Sequence, residues 1–229
     1  MGGGATTTSS RRLPQRLTEM GPGLTAALVR EALHRAVRGI GPLAAAASVA
    51  GRKLAEQEGD VDRAIHELIE NHVRYAGAQG FVTNLGGLAT MAFSVPTNMS
   101  GLALVECRMI AAIAHLRGYD LDDPRVRNAV LVCLLGEESV QDLVSAQKLP
   151  APPMALATAM VHDPTLDHVI SAEVASDLMQ KVAGKQLAGT AGARRIPFVG
   201  GLVGMGVDGY STWKIGRYAD RELLPLAKR

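Results

Sequence analysis

Three charged residues stand alone in otherwise apolar parts of this chain. Glu106 and Arg108 are the only charges between residues 99 and 116, and Asp208 is the only charge between residues 195 and 214. Burying such a group without a partner is costly, so each needs one from elsewhere in the fold. We expect a structural ion pair, Arg108 with Asp208. The alternative is a polar site at the bottom of an apolar pocket, such as one that holds a lipid head group.

A metal site is the next chemistry to consider. His66 and Glu70 are four residues apart on a predicted helix, so both could reach one metal ion with Glu67 as a base. The second histidine of a zincin helix is absent, and pairing with Arg63 and Arg74 would explain both carboxylates. We therefore predict no metal site and no cofactor.

An acidic patch follows Cys133 and consists of Glu137, Glu138 and Asp142. Neighbouring carboxylates act as acid and base only in a pocket that separates their pKa values, so a solvated helix face is favoured. The chain has no G-x-S-x-G elbow, P-loop or dinucleotide fingerprint. No catalytic residue is assigned. A hydrolase acting at this patch, or at the cluster of Glu106, Arg108 and Asp208, stays an alternative.

Two glycine-rich apolar segments, residues 77–96 and 196–207, are the strongest pattern in the chain. Both are too short for a transmembrane span, so we predict a buried or interfacial segment for the first and a buried hairpin or interfacial segment for the second. Basic and aromatic residues flank the second segment, which suits a membrane interface. The candidate apolar contacts are Phe81, Leu85, Leu88, Met91, Phe93, Phe198, Leu202, Met205 and Trp213, and the candidate head-group contacts are Arg195, Lys214 and Arg217.

Helices must position these residues. Apolar residues make up 47% of the chain but aromatic residues only 3%, so the core consists of small and aliphatic side chains, among which Ala and Leu favour helix. No strand of period two appears, and we predict one all-α domain, residues 24–229, after a disordered arm, residues 1–23. The predicted helices are 25–38, 42–57, one capped by Asp60, a buried one over 99–116, one from Asp123 toward Leu143, 154–161, 171–187, and a polar helix ending near Leu224.

Charge and cysteine usage exclude other classes. The net charge of +2 comes from scattered basic residues, which argues against nucleic acid as a partner. Cys107 and Cys133 fall in apolar helical patterns and are predicted to be buried, reduced thiols. Residues 1–10 contain no apolar run, so we predict no secretory signal and a cytoplasmic location, with or without peripheral contact to the cytoplasmic membrane. The composition indicates a high-GC bacterial source.

The chain resembles the EcsC family over roughly residues 60–225. The resemblance rests on AGAQGFVTNLGGLAT at 76–90, RMIAAIA at 108–114 followed by GYD at 118–120, RIPFVGG at 195–201 and IGR at 215–217. The family is named for a component encoded beside an ABC transporter, and its members are α-helical proteins without an established reaction. The resemblance therefore implies an all-α fold and a membrane or export connection, but no catalytic residue.

Together these observations predict a helical protein that binds lipid or a membrane surface without catalysis. The first alternative is a protein interaction module, either a homo-oligomer or a partner of a membrane protein, that uses the same surface. The second is the hydrolase.

Overall fold

The fold follows from helical segments whose ends are set by polar caps and glycines. The computed structural model describes the backbone of residues 22–41, 43–85, 103–192 and 197–226. Side chains are described over residues 26–41, 43–78, 103–181 and 208–226 and at Gly206. Residues 1–21 of the predicted arm lie outside these ranges, and the first helix begins at Pro22.

The described residues form helices and no β-strand, which confirms the all-α class. One isolated bridge joins Ile40 and Leu43 in a turn. The helices are α1 (Pro22–Arg38), α2 (Ala46–Glu56), α3 (Val61–Leu85), α4 (described over 103–116), α5 (Pro124–Leu135), α6 (Glu137–Ser145), α7 (Pro153–Ala157), α8 (Pro164–Gly192) and α9 (Pro197–Glu222).

Two predicted helix starts are confirmed. The Asp60 carboxylate accepts a hydrogen bond from the backbone N–H of Arg63 at 3.0 Å, at the start of α3. The Asp123 carboxylate accepts one from the backbone N–H of Arg125 at 2.8 Å, and Pro124 occupies the first turn of α5. Both caps satisfy an amide that has no partner within the helix.

The helix predicted from Asp123 toward Leu143 is interrupted, which corrects the prediction. Gly136 has a φ of 84° and ends α5, after which the chain starts again as α6. A glycine adopts this left-handed conformation without the steric cost that a Cβ adds. The break turns Glu137 and Glu138 into the first turn of a new helix.

Other boundaries also differ from the sequence pattern. α8 begins at Pro164 rather than at residue 171, because Asp163 caps it by accepting from the backbone N–H of Thr165 at 2.9 Å. α7 ends at Ala157 instead of residue 161. The second glycine-rich segment is not a hairpin but part of the continuous helix α9. Among the described helices, none combines the length and the apolar character needed to cross a membrane.

The core is centred on α4, as its all-round apolar pattern predicts. Every side chain from residue 109 to 114 is fully buried, and both Cys107 and Cys133 are buried and free. α3 and α9 pack against each other in antiparallel fashion: a Cβ at Gly209 would lie 3.6 Å from Val73, and one at Gly216 would lie 3.0 Å from Ile69. The helices that carry the two glycine-rich segments are therefore neighbours.

Candidate functional site

A groove lies between the second half of α9 and the turn that joins α5 to α6. Its volume is about 360 Å³, which falls at the small end of the range for ligand sites. The break at Gly136 builds one wall, because it exposes the first turn of α6 next to α9. The lining residues are Leu135, Gly136, Glu137, Glu138, Ser139, Lys181, Tyr210, Ser211, Trp213, Lys214, Ile215, Arg217 and Arg221.

An exposed aromatic pair forms the apolar part of the groove. The rings of Tyr210 and Trp213 stack with centroids 6.1 Å apart and planes 18° from parallel. Their residues are three apart on α9, so they share one helical face. Tyr210 is 63% exposed and Trp213 is 42% exposed, and this accessible ring surface has the polar tips that suit a boundary between water and lipid.

Ion pairs across the groove join α9 to α6. Lys214 binds Glu138 at 2.9 Å and Arg221 binds Glu137 at 2.5 Å. The acidic patch of the sequence is thus one wall of the groove, facing basic side chains. Asp142 lies exposed on the same helix.

The two remaining cations of the groove are paired as well. Lys181 binds Asp177 at 2.6 Å, and Arg217 binds Asp220 at 3.3 Å. The groove and its immediate surroundings therefore balance basic and acidic groups.

The electrostatics of Glu138 argue against acid–base chemistry. The hydrogen bond and the charge of Lys214 hold the pKa of the Glu138 carboxyl below its ordinary value. The same contact holds the pKa of Lys214 above its ordinary value. A general acid at neutral pH needs the opposite shift of its carboxyl pKa. The arrangement instead offers charged donors and acceptors beside an aromatic surface.

Three predicted site residues meet in the groove: Trp213, Lys214 and Arg217. Of the others, Phe81, Leu85, Phe198, Leu202 and Met205 lie on the described backbone of α3 and α9, but their side chains lie outside the described residues. Leu88, Met91, Phe93 and Arg195 lie outside the described residues altogether. These contacts stay predictions.

Glu106 and Arg108 of α4 differ in burial, and Asp208 lies on α9. Glu106 is buried, and its carboxylate accepts a hydrogen bond from the Thr212 hydroxyl of α9 at 3.1 Å. Neither Glu106 nor Asp208 is without a partner. Arg108 is half-buried, and its electrostatic neighbours include Tyr75. Its ion pair with Asp208 stays a prediction.

His66 lies exposed on the surface of α3. Arg74 pairs with Glu70 at 3.9 Å, as predicted, whereas Arg63 pairs with Asp60 at 3.3 Å rather than with Glu67. The side chain that caps α3 competes for Arg63, because it lies three residues away on the same face. Within the described side chains, no three His, Cys, Asp or Glu residues are grouped as a metal site needs.

Sequence reasoning missed Lys181 and Arg221 as groove residues. Arg221 bridges to a glutamate 84 residues earlier, and Lys214 to one 76 residues earlier. The available signal was charge complementarity between the acidic start of α6 and the basic residues of α9. Charge complementarity alone does not show which basic residue pairs with which glutamate.

Comparison with known proteins gives one match. The model of the EcsC protein family matches residues 50–223, about three quarters of the chain. Comparisons with curated proteins and with solved structures find no significant match. The matched region contains α3 to α9 and therefore the whole groove, and the chain belongs to the EcsC protein family.

Proposed function

We propose that this protein binds phospholipid head groups at a membrane surface, without catalysis, through the groove beside α9. The observation that carries the proposal is the exposed stack of Tyr210 and Trp213 next to Lys214 and Arg217. Aromatic rings with polar tips settle at the level of the lipid head groups, and basic side chains beside them bind phosphate. The protein is then peripheral to the membrane, on its cytoplasmic side.

The ion pairs of the groove fit this role because they are exposed. The side chain of Glu138 is 84% exposed and that of Lys214 is 47% exposed. Exposed pairs of this kind contribute only about 0–1 kcal/mol. A lipid phosphate can therefore replace the carboxylate on Lys214 at small cost.

The balance of charges favours a zwitterionic head group. Its phosphate suits Lys214 and Arg217, while its ammonium suits Glu137, Glu138 and the faces of the aromatic rings. We therefore expect vesicles of phosphatidylcholine alone to bind the protein, and phosphatidylglycerol to add little.

Flotation with liposomes tests the proposal. We expect the wild-type protein to float with phosphatidylcholine vesicles and Trp213→Ala to stay at the bottom of the gradient. Circular dichroism shows whether the variant keeps its helices, and we expect that it does because Trp213 is at the surface.

Met160→Ser is the matched control. Met160 is a fully exposed apolar residue, and it follows Ala159, whose carbonyl binds Arg125 at the other end of α5 from the groove. Ten residues of helix separate Arg125 from Leu135, or roughly 15 Å. The control should float like the wild type. Absence of flotation with every vesicle composition, or equal flotation of Trp213→Ala, would contradict the proposal.

The same surface favours one alternative. Tryptophan, tyrosine and arginine dominate the energetics of protein interfaces, and Trp213, Tyr210 and Arg221 are exposed together. If the protein stays unbound to lipid and forms an oligomer that Trp213→Ala dissociates, the groove is a protein interface. Size-exclusion chromatography with light scattering on the same samples separates the two functions.

A further inference from the structure

The basic residues that line the groove differ in how their charges are balanced. Three of them each pair with a carboxylate of their own: Lys181, Lys214 and Arg221. Arg217 shares its carboxylate, because Oδ2 of Asp220 accepts from its Nη1 at 3.3 Å while Oδ1 of Asp220 accepts from Arg117 at 2.8 Å. Among the ion pairs of the described residues, Arg217 is therefore the groove cation whose partner is also bound by a second arginine.

The contact with Arg117 holds Asp220 in place. The side chain of Asp220 is 17% exposed and that of Arg117 is 13% exposed. A carboxylate in a largely buried ion pair cannot turn away without leaving a charge unpaired. Glu138, the partner of Lys214, is 84% exposed, so water replaces that contact at little cost. Asp220 is thus a fixed partner for Arg217, whereas Glu138 is a readily displaced partner for Lys214.

Arg217 can bind a second anion while it stays bound to Asp220. A guanidinium has several N–H donors in a rigid fork, and the contact with Asp220 uses only Nη1. The side chain of Arg217 is 41% exposed and lines the groove. It follows Trp213 by four residues and Lys214 by three, so the three side chains share one face of α9. Donors of Arg217 therefore remain for a ligand in the groove.

We propose that Arg217 anchors the phosphodiester of the bound head group and that Asp220 is the residue that positions it. This role rests on the proposed lipid function, because it names the contact that holds the phosphate. Arg117 balances the charge of Asp220, and its other partner, Asp62, is 81% exposed and screened by water. The charge of Arg217 is then available to a phosphodiester, which forms paired hydrogen bonds with a guanidinium. A guanidinium that is fixed beforehand also loses less side-chain freedom on binding.

Loss of the Asp220 carboxylate should weaken lipid binding, although it removes a negative charge from beside a groove cation. Flotation of the full chain over a series of phosphatidylcholine concentrations gives the affinity. We expect Asp220→Asn to weaken it about threefold to tenfold, the effect of ordering one long side chain on binding. If the groove cations act through charge alone, this variant binds at least as tightly as the wild type, and that result would overturn the proposal.

Asp62→Asn is the matched control. It removes the other carboxylate from Arg117, which Asp62 binds at 2.9 Å, without a contact to Arg217. It should change the affinity for vesicles by less than about twofold. Equal losses in Asp62→Asn and Asp220→Asn would show that both act through the stability of the Arg117 contacts, which contradicts the positioning of Arg217.

Arg217→Lys keeps the charge at a partly exposed position, so it tests the geometry of the guanidinium with little risk to the fold. A lysine ammonium is a point charge on a flexible stem and lacks the fork that binds a carboxylate and a phosphate together. We expect Arg217→Lys to weaken vesicle binding by at least about threefold. Unchanged affinity would show that only the charge at this position matters and would contradict the anchoring role.

NMR of the Arg217 guanidinium gives a readout that a structural role of Asp220 alone would not change. Titration of ¹⁵N-labelled protein with glycerophosphocholine should shift the side-chain N–H signal of Arg217, which its loss in Arg217→Lys assigns. Choline lacks the phosphate and should leave this signal in place. Asp220→Asn, with its helices checked by circular dichroism, should need about threefold to tenfold more glycerophosphocholine for the same shift. An equal shift with choline, or the same titration in Asp220→Asn, would overturn the proposal.

Failure of the lipid function and failure of this role give different results. If the wild type neither floats with phosphatidylcholine vesicles nor responds to glycerophosphocholine, the groove binds no head group and both proposals fail. If the wild type floats but Asp220→Asn and Arg217→Lys bind equally well, the groove holds lipid through other contacts. Only the roles of Arg217 and Asp220 are then wrong.

Discussion

At the residue scale, His72 shows how burial and one neighbouring charge decide a protonation state. The imidazole has a fixed donor role toward Leu68, and Arg108 disfavours a second positive charge beside it. His72 lies on the same buried face of α3 as Ile65, Leu68 and Ile69. Its neutrality was not predictable, because Arg108 lies 36 residues away in the chain.

The free energy of unfolding should depend on the charge of His72. In the folded state its pKa is about 4, below the ordinary value of about 6.5, so the unfolded chain binds more protons between these two pH values. The contribution of His72 to the free energy of unfolding is therefore highest above pH 6.5 and falls as the pH drops toward 4. His72→Asn keeps the donor to Leu68 but cannot ionise. Between pH 7 and 4.5 we expect its free energy of unfolding to fall by about 2 kcal/mol less than that of the wild type.

Urea unfolding at several pH values measures this difference. His66→Asn on the same helix is the control, because the His66 side chain is exposed. It should follow the wild type. Parallel pH profiles for wild type and His72→Asn would show that folding does not lower the pKa of His72.

The Thr212 hydroxyl should stabilise the buried carboxylate of Glu106. Thr212→Val keeps the shape of the side chain but removes the donor at 3.1 Å. We expect a loss of about 1–3 kcal/mol in the free energy of unfolding. Equilibrium urea denaturation checks it, and a double-mutant cycle with Glu106→Gln isolates the pair. A coupling energy near zero would show that other partners of Glu106 carry its stabilisation.

At the element scale, α9 shows what glycine does inside a long helix. Glycine has no Cβ and so lets a neighbouring helix approach closely, and Gly209 and Gly216 lie against α3. The same pattern failed to predict that the segment is one continuous helix. Glycines lower intrinsic helix propensity, and the packing of α9 against α3 overrides that preference.

A pair of substitutions in α9 separates packing from propensity. A Cβ at Gly216 would lie 3.0 Å from both Cγ atoms of Ile69, whereas one at Gly206 would meet nothing within 4 Å. We expect Gly216→Ala to destabilise the protein by about 1 kcal/mol through overpacking against a stiff β-branched side chain. Gly206→Ala should stabilise it by up to about 1 kcal/mol, because alanine favours helix. Thermal unfolding followed by circular dichroism measures both, and a rise in Tm for Gly216→Ala would contradict the tight contact.

At the scale of the whole molecule, the side chain of Arg117 connects helices that are far apart in sequence. Its guanidinium binds Asp62 of α3 at 2.9 Å and Asp220 of α9 at 2.8 Å, while its carbonyl accepts from the backbone N–H of Leu226. The hydroxyl of Tyr119 also donates a hydrogen bond to the carbonyl of Leu224, just after α9. The turn after α4 thus ties α3, α9 and the segment after α9 into one unit.

Loss of this contact should weaken the whole fold. The side chain of Arg117 is 13% exposed and that of Asp220 is 17% exposed. Removing one partner from a largely buried ion pair leaves the other charge unpaired, so Arg117→Ala should cost about 2–4 kcal/mol. Arg63→Ala is the control, since that side chain is 77% exposed. Urea denaturation should separate the two variants clearly, and equal stabilities would show that the Arg117 contacts contribute little.

The sequence predicted local features well and distant contacts poorly. Caps at Asp60 and Asp123 and the burial of α4 follow from residue types and periodicity within one helix. The groove depends on Gly136 breaking a helix and on which of several cations meets Glu137 and Glu138. A glycine inside an apolar run fits either a break or a close contact, and equivalent cations cannot be told apart without the packing of α9.

Fluorescence of Trp213, the only tryptophan in the chain, tests the lipid proposal most directly. Because the ring is 42% exposed in the groove, its emission responds to anything that replaces water there. Titration with phosphatidylcholine vesicles should shift the emission to the blue, and lipids brominated near the head of the acyl chains should quench it. Emission that stays unchanged and unquenched at saturating lipid would contradict lipid binding through the groove.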